Sequence, residues 1–429
     1  MDVELKYGKG SRLIKIPSKA KVTMLNPATL PALGNISGSL DSALSSPVER
    51  PALVDYLSEK RPKTISIAIS DESRPVPVKA IIPSLLKHLY KALPGLKPSD
   101  VTIVIGGGLH PPPDKAGIER IIPSSLTQGC RVTAHDAISS KVSDFGVTTR
   151  GTPVRINREL ATGDCKISIG LIDPHQFVGF TGGAKGVVIG CAAAETIEHN
   201  HKLMYEDNAQ VGRLEGNPVR EDLNEAGDRV GIDYAINVVL NGDKKAVELF
   251  CGEPKAVLKK GAAVCASLYG VGIKKKFDMV IASCGGFPKD ICLYQAQKGL
   301  NLASHAVREG GKILLLAASS QGVGDDVYLD YVSRFATPRE VLDDFAESGF
   351  KMGAHKAYLF GRTLASYDVA VASELDADVL RTCQLKAVAP DSTIEKWVRD
   401  FEGRPRVAVV PNANTTYFYQ EGLEIKGQK

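Results

Sequence analysis

Eight short runs of Val, Ile, Leu and Ala constrain this chain more than any other feature, at 65–69, 101–105, 167–171, 235–240, 279–282, 313–317, 369–372 and 407–410. A strand with one wet face alternates apolar and polar residues. These runs do not alternate, which is the pattern of strands buried on both faces of a parallel sheet. Stretches with helical character lie between several of them, at 78–92, 338–347 and 392–401. Strand and helix in alternation define an α/β chain whose mainly parallel sheets are covered by helices.

At 429 residues the chain is too long for one ordinary core, so two domains are expected. A break falls near 270–276, between a helical stretch rich in Ala, Val and Lys at 255–268 and a fresh strand opening at Phe277. The expected units are an N-terminal α/β domain at 1–270 and a C-terminal one at 275–429. Ligands of open α/β sheets gather beyond the carboxyl ends of the strands. The loops at those ends are therefore the informative text, and they are expected to converge on an interdomain cleft.

Composition narrows the partners. Apolar content of 43%, charged content of 24% and a net charge of +4 describe a globular protein close to charge balance. The longest basic run, Lys274-Lys275-Lys276, is too short for a nucleic-acid stripe, so no nucleic-acid partner is expected. The first residues carry no apolar signal core and no segment approaches a membrane span, so no membrane partner is expected either. The cysteines at 130, 165, 191, 251, 265, 284, 292 and 383 form no C-x-x-C pair. That distribution fits reduced thiols in a cytoplasmic setting and argues against a cysteine-ligated zinc. Nothing in the pattern fixes an oligomeric state.

The loops carry the chemistry. The strand ending at 69 runs into Ser70-Asp71-Glu72-Ser73-Arg74-Pro75, and the strand ending at 105 into Gly106-Gly107-Gly108-Leu109-His110-Pro111. The strand ending at 171 delivers Asp173-Pro174-His175, then a glycine-rich turn presents Lys185 in Gly182-Gly183-Ala184-Lys185-Gly186. A helical segment from about 192 carries His199 and His201. A single loop histidine usually caps backbone, but His110 and His175 at equivalent strand ends suit a two-faced acid/base reaction near neutrality. The lysine loop lacks the Gly-Lys-Ser/Thr of a Walker A motif. Its amides can still cradle a phosphate, and its lysine can serve as a covalent anchor or simply reach into solvent. His199 and His201 fall on different faces of a helix, so at most one points toward the loop. An imidazole without thiolates nearby suits nickel, copper or zinc. In the second half, Gln295 and Lys298 are i,i+3 neighbours able to grip one carboxylate, with Arg74 as a bidentate partner. Exposed helix polars are the plainer reading of that pair.

Together these pieces become specific. Ser70-Asp71-x-x-Arg74-Pro75, Gly-Gly-Gly-Leu-His110-Pro, Pro174-His175-x-x-x-Gly179-Phe180-x-Gly182-Gly183-x-Lys185, Asn200-His201, Gly216-Asn217-Pro218-Val219-Arg220 and Pro288-x-Asp290-x-x-Leu293-Tyr294-Gln295-Ala296-x-Lys298-Gly299 follow one another between about 70 and 300. In these six segments the chain resembles the nickel-pincer lactate racemase family. The resemblance implies a racemase or epimerase of a 2-hydroxy acid. It further implies a nickel-pincer nucleotide tethered by a thioamide to Lys185, with His201 as the protein ligand to nickel. His110 and His175 would be the acid/base pair of a proton-coupled hydride transfer through a flat 2-oxo acid. Asp71, Gly107, Gly182 and Gly183 would serve the cofactor, Asp71 by bonding its ribose or else by orienting Arg74. Arg74, Tyr294, Gln295 and Lys298 would hold the substrate. Cofactor-maturation enzymes are the implied protein partners.

Two departures bear on substrate. Val187-Val188-Ile189 stands where a proline is expected after the lysine, and the single tryptophan, Trp397, lies far from the motifs, leaving Tyr358 as the aromatic near the substrate wall. A larger hydroxy acid is therefore as good a candidate as lactate. Two other readings compete: a lysine enzyme forming a Schiff base with pyridoxal phosphate or a carbonyl substrate, and a non-catalytic phosphate- or nucleotide-binding protein.

Overall fold

The computed structural model describes residues 1–349 and 353–421. It divides the chain into two compact units, one made of 29–268 and the other of 1–28 with 269–421 among the described residues.

The first unit is built on a six-stranded sheet in the order Ala246–Gly252, Tyr234–Leu240, Cys165–Ile172, Ile65–Ser70, Val101–Gly106, Arg131–Ala134. Five of these strands run parallel, and the edge strand Ala246–Gly252 is antiparallel to its neighbour. The central strands are buried along nearly their whole length, as their unalternating sequences require. The helix Val78–Ala92 covers one face with Ile81, Ile82, Leu85, Leu86 and Leu89, each fully buried. That 3.6-residue spacing makes one apolar stripe, and each such side chain contributes about 1.5–3 kcal/mol. Leu40, Leu44, Leu53 and Leu57 join the same core.

The second unit carries its own six-stranded sheet, all parallel, in the order Lys386–Ala387, Asp368–Ala372, Val307–Leu316, Phe277–Ser283, Arg406–Val410, Lys21–Met24. The last strand corrects the domain assignment. Residues 1–28 were expected in the N-terminal domain, yet Lys21–Met24 pairs with Arg406–Val410, and the hairpin Asp2–Tyr7/Gly10–Lys15 buries Val3, Leu5, Ile14 and Ile16 against Met279, Leu314 and Val409. The pairing spans nearly the whole chain in sequence, so no local pattern announces it. Of the expected domain 275–429, residues 350–352 and 422–429 lie outside the described residues. Trp397 sits in this unit's core.

Candidate active site

Three neighbouring strands of the first unit end side by side. Register pairs Ser70 with Gly106 on the adjacent parallel strands, so Asp71 and Gly107 leave the sheet together. The chain after Gly107 turns back, with the His110 amide donating to the Gly107 carbonyl at 3.2 Å. This brings the His110 Nδ1–H onto Asp71 Oδ2 at 2.8 Å. Neither expected role of Asp71 included this partner; its carboxylate backs the histidine. Burial works against its ionisation, but hydrogen bonds from His110 and Ser73 hold its pKa below the ordinary value. With Nδ1 donating to a carboxylate, His110 presents Nε2 outward as the basic nitrogen, on a side chain 55% exposed.

The glycines between these groups make room for close backbone approach. A Cβ on Gly106 would stand 2.7 Å from the Gly190 carbonyl and 2.6 Å from Cys191 Sγ. Gly182 lies at φ +95°, and a Cβ there would meet Ile172 and Asn237. Asn237 Oδ1 accepts from the Gly183 amide at 2.7 Å, fixing the loop above the strand. The result is a cavity lined by Asp71, Arg74, Gly107, His110, Gly182, Gly183 and Lys185, with Thr181 and Asn237. Seven of these nine residues, all but Thr181 and Asn237, were named from sequence.

Lys185 opens the short helix Lys185–Val188 and reaches into this cavity. Burial pushes its pKa down to about 7, with the guanidinium groups of Arg74 and Arg220 acting in the same direction. A lysine so shifted is substantially the neutral, nucleophilic amine at physiological pH.

Arg220 explains the shape of the lysine loop. It is fully buried and donates to the carbonyls of Val178 and Gly182 at 3.4 Å each and to that of Phe180. Asn217 caps the helix Pro218–Val230 and also donates to the Phe177 carbonyl at 3.0 Å. The motif Gly216 to Arg220 thus pins the hairpin Pro174–His175/Gly179–Phe180 and the loop after it.

His175 lies on that hairpin, half-buried, outside the cavity lining. Its ring meets Phe177 edge-on at 4.6 Å between centroids, and Phe177 meets His201 at 5.1 Å. One phenyl ring therefore links the two histidines, a relation that sequence spacing did not reveal. His201 is carried by the helix Ala194–Lys202 and its Nδ1 faces Asn200 Oδ1 at 3.3 Å. His199 instead bonds the Glu195 carbonyl of its own helix at 2.9 Å, as expected for the other face.

Tyr294, Gln295 and Lys298 lie in the second unit on the helix Leu293–Ser304. Gln295 is exposed and Lys298 half-buried. Tyr294 packs against Tyr328 and His355 at 6.4 Å each, with the Lys356 ammonium 4.9 Å over its face. Tyr358 stacks on Phe345 at 5.3 Å. Sequence reasoning missed Asn237, Arg220 as a buried brace, Phe177 and Lys356. Asn237 left a signal, being the one amide inside the apolar strand YAINVVL.

A desolvated lysine amine beside an aspartate-backed histidine, on the carboxyl edge of a parallel sheet, is an arrangement suited to an α/β enzyme, with groups able to act as a general base and as a covalent anchor. Residues 7–212 match the lactate racemase N-terminal domain and residues 273–415 the lactate racemase C-terminal domain, so the chain belongs to the lactate racemase family and is an isomerase. The lactate racemase of Thermoanaerobacterium thermosaccharolyticum is 28% identical over 353 residues, covering 81% of this chain and 82% of the relative. That of Lactiplantibacillus plantarum is 28% identical over 382 residues, covering 87% and 89%. The solved lactate racemase apoprotein from T. thermosaccharolyticum shares the fold with a TM-score of 0.89 at 23% identity, over 98% of this chain and 100% of that one. A Thermotoga maritima protein aligns at a TM-score of 0.58 and 16% identity, over 86% and 98%. Family membership sets the non-catalytic reading aside.

Proposed function

We propose that this isomerase is a racemase or epimerase of a 2-hydroxy acid, lactate or a larger one, working with a nickel-pincer nucleotide anchored on Lys185. The observation that carries the reading is Lys185 lining one glycine-walled cavity together with the Asp71-backed His110, with desolvation lowering the pKa of its amine. A tether through an amide-like bond needs a neutral amine and, once made, removes the buried charge. The residues present fit such a group. Backbone amides of Gly107 and Gly182 offer donors to a phosphate, while that of Gly183 is held by Asn237. Among the described residues no group of three or more His, Cys, Asp or Glu side chains could hold a metal alone, so a nickel at His201 would draw its remaining ligands from the bound cofactor.

When bound, the cofactor supplies an acceptor that takes the α-hydrogen as hydride and gives it back. The side chains do the rest. His110, with Asp71 behind Nδ1, takes the hydroxyl proton of one enantiomer through Nε2, and the carboxylate stabilises the imidazolium that results. His175 performs the same service on the opposite face. By the family resemblance, holding the substrate carboxylate falls to Arg74 in the first unit and to Gln295 and Lys298, with Tyr294, in the second, so that only the carbonyl carbon would change face. The eight cysteines are buried thiols, in keeping with a cytoplasmic setting, and a tethered cofactor implies maturation enzymes as the protein partners.

The test is a panel of enantiopure 2-hydroxy acids followed by chiral separation, using protein made alongside the cofactor-building enzymes. Both enantiomers of at least one acid should converge to a racemate, or to an epimeric mixture for a larger acid. A borohydride-reducible pyridoxal adduct on Lys185 would instead favour the Schiff-base reading.

A further inference from the structure

Behind His201 lies a buried polar cluster of Asn200, Asp222, Thr148 and Thr152. We propose that Asn200 and Asp222 are positioning residues that hold His201 as the Nδ1–H tautomer, so that Nε2 carries the lone pair offered to the metal; this rests on the reading of His201 as the nickel ligand.

The Asn200 amide is fully buried. Its Nδ2 donates to the Val219 carbonyl at 3.0 Å and to Asp222 Oδ2 at 2.8 Å. Both partners are acceptors, so neither can face an amide oxygen, and the flipped orientation is excluded on chemical grounds. Oδ1 must therefore point the other way, where it meets His201 Nδ1 at 3.3 Å. An amide oxygen cannot donate. Nδ1 must bring the proton, which leaves the lone pair of the neutral ring on Nε2.

Asp222 in turn is 1% exposed and held by three donors. Thr148 Oγ1 donates to Oδ1, while Thr152 Oγ1 at 2.9 Å and Asn200 Nδ2 donate to Oδ2. The threonines belong to the turn joining the strands Val142–Val147 and Pro153–Asn157, and Asp222 to the helix Pro218–Val230. Three elements thus converge on one amide orientation. The same unit contains the opposite case. His135 donates from Nε2 to the Ala192 carbonyl at 2.8 Å and faces the Asn157 amide with Nδ1 at 3.1 Å, which makes it an Nε2–H imidazole. Free histidine favours that second form. The Nδ1–H tautomer leaves Nε2 unprotonated, the form a metal ligand needs, and metal-bound imidazoles are oriented by the bond their other nitrogen makes.

The experiment reads tautomers directly, by long-range proton–nitrogen NMR of apoprotein labelled with 15N-histidine, at a pH where the rings are neutral. His201 is assigned by His201→Gln, and His135 serves as the internal Nε2–H reference. Wild-type His201 should show the Nδ1–H pattern, and this spectrum decides the matter even where a variant fails to fold. Asn200→Ala should shift His201 to Nε2–H. Asp222→Asn should leave it unchanged, since its amide oxygen still accepts from Asn200 and Thr152 while its NH2 donates to the Thr148 hydroxyl. In matured protein, Asn200→Ala should weaken nickel retention by about tenfold or more, with the adduct on Lys185 intact. An Nε2–H pattern in wild type, or an Asn200→Ala variant still in the Nδ1–H form, overturns the assignment. Matured wild-type protein without adduct or nickel would defeat the proposed function, while the apoprotein spectrum would still report the tautomer.

Discussion

Lys185 lines the cavity at the carboxyl ends of the parallel strands, and its amine is desolvated there. Its folded pKa, about 7, lies below its ordinary value of 10.5. Below pH 7 the folded and unfolded chains both hold the proton, and the folded chain bears the cost of burying it. Between the two values only the unfolded chain binds the proton, so this group's contribution to stability rises with pH. Lys185→Met should therefore stabilise the apoprotein at pH 6 by roughly 1–3 kcal/mol, with the gain shrinking toward pH 9, as chemical denaturation at the two pH values would show. A gain independent of pH would mean that the amine is not desolvated. The His110–Asp71 pair predicts a separate result. Asp71→Asn should lower kcat at least about 100-fold while adduct and nickel remain, because an amide neither fixes the Nδ1–H tautomer nor steadies the imidazolium. His110→Ala and His175→Ala should each abolish interconversion in both directions with the adduct retained; near-normal turnover in either one removes it from the acid/base pair. These residues could be named from sequence because loop chemistry at strand ends is local. The partnership of Asp71 with His110 could not, since it depends on which strands lie adjacent and on the Ser70–Gly106 register.

Among elements, the helix Pro218–Val230 governs the site without lining it. Through Arg220 and Asn217 it holds the carbonyls of the hairpin that carries His175 and of the loop that presents Lys185. Arg220→Leu leaves three buried carbonyls without their donor. It should cost about 3 kcal/mol or more in equilibrium unfolding, and reduce modification of Lys185 in matured protein even under conditions where the variant stays folded. Normal stability would show that water replaces the guanidinium there. The central strands were legible because burial on both faces removes alternation, and the long helices because their apolar stripes keep the helical period. Short pieces such as Pro174–His175/Gly179–Phe180 were not, since two-residue strands have no period to read. Phe177 looked like one more apolar loop residue; its place between two histidines follows from the hairpin that Arg220 braces.

For the molecule as a whole, the unexpected feature is the crossing of the N-terminal segment into the C-terminal unit. Residues 1–28 supply an edge strand and a hairpin to the sheet of 269–421, so a fragment of 269–421 alone lacks part of its core. That fragment should show a broad, weakly cooperative melt. Adding a peptide of residues 1–28 should sharpen it, and a fragment of 29–268 should melt cooperatively without help. A cooperative 269–421 fragment would show the N-terminal segment to be dispensable. The two-unit α/β plan itself was readable from the strand runs and the break near residue 270, whereas a long-range parallel pairing leaves no mark in either strand's own sequence.

The proposed reaction requires Lys185 to be the covalent anchor of the group that exchanges hydride with the substrate. Peptide mass mapping of protein purified after production with the cofactor-building enzymes tests it most directly, read beside racemase activity of the same sample. The account predicts active protein in which the peptide containing residue 185 carries a nucleotide-sized adduct. Active protein in which Lys185 is unmodified would contradict it.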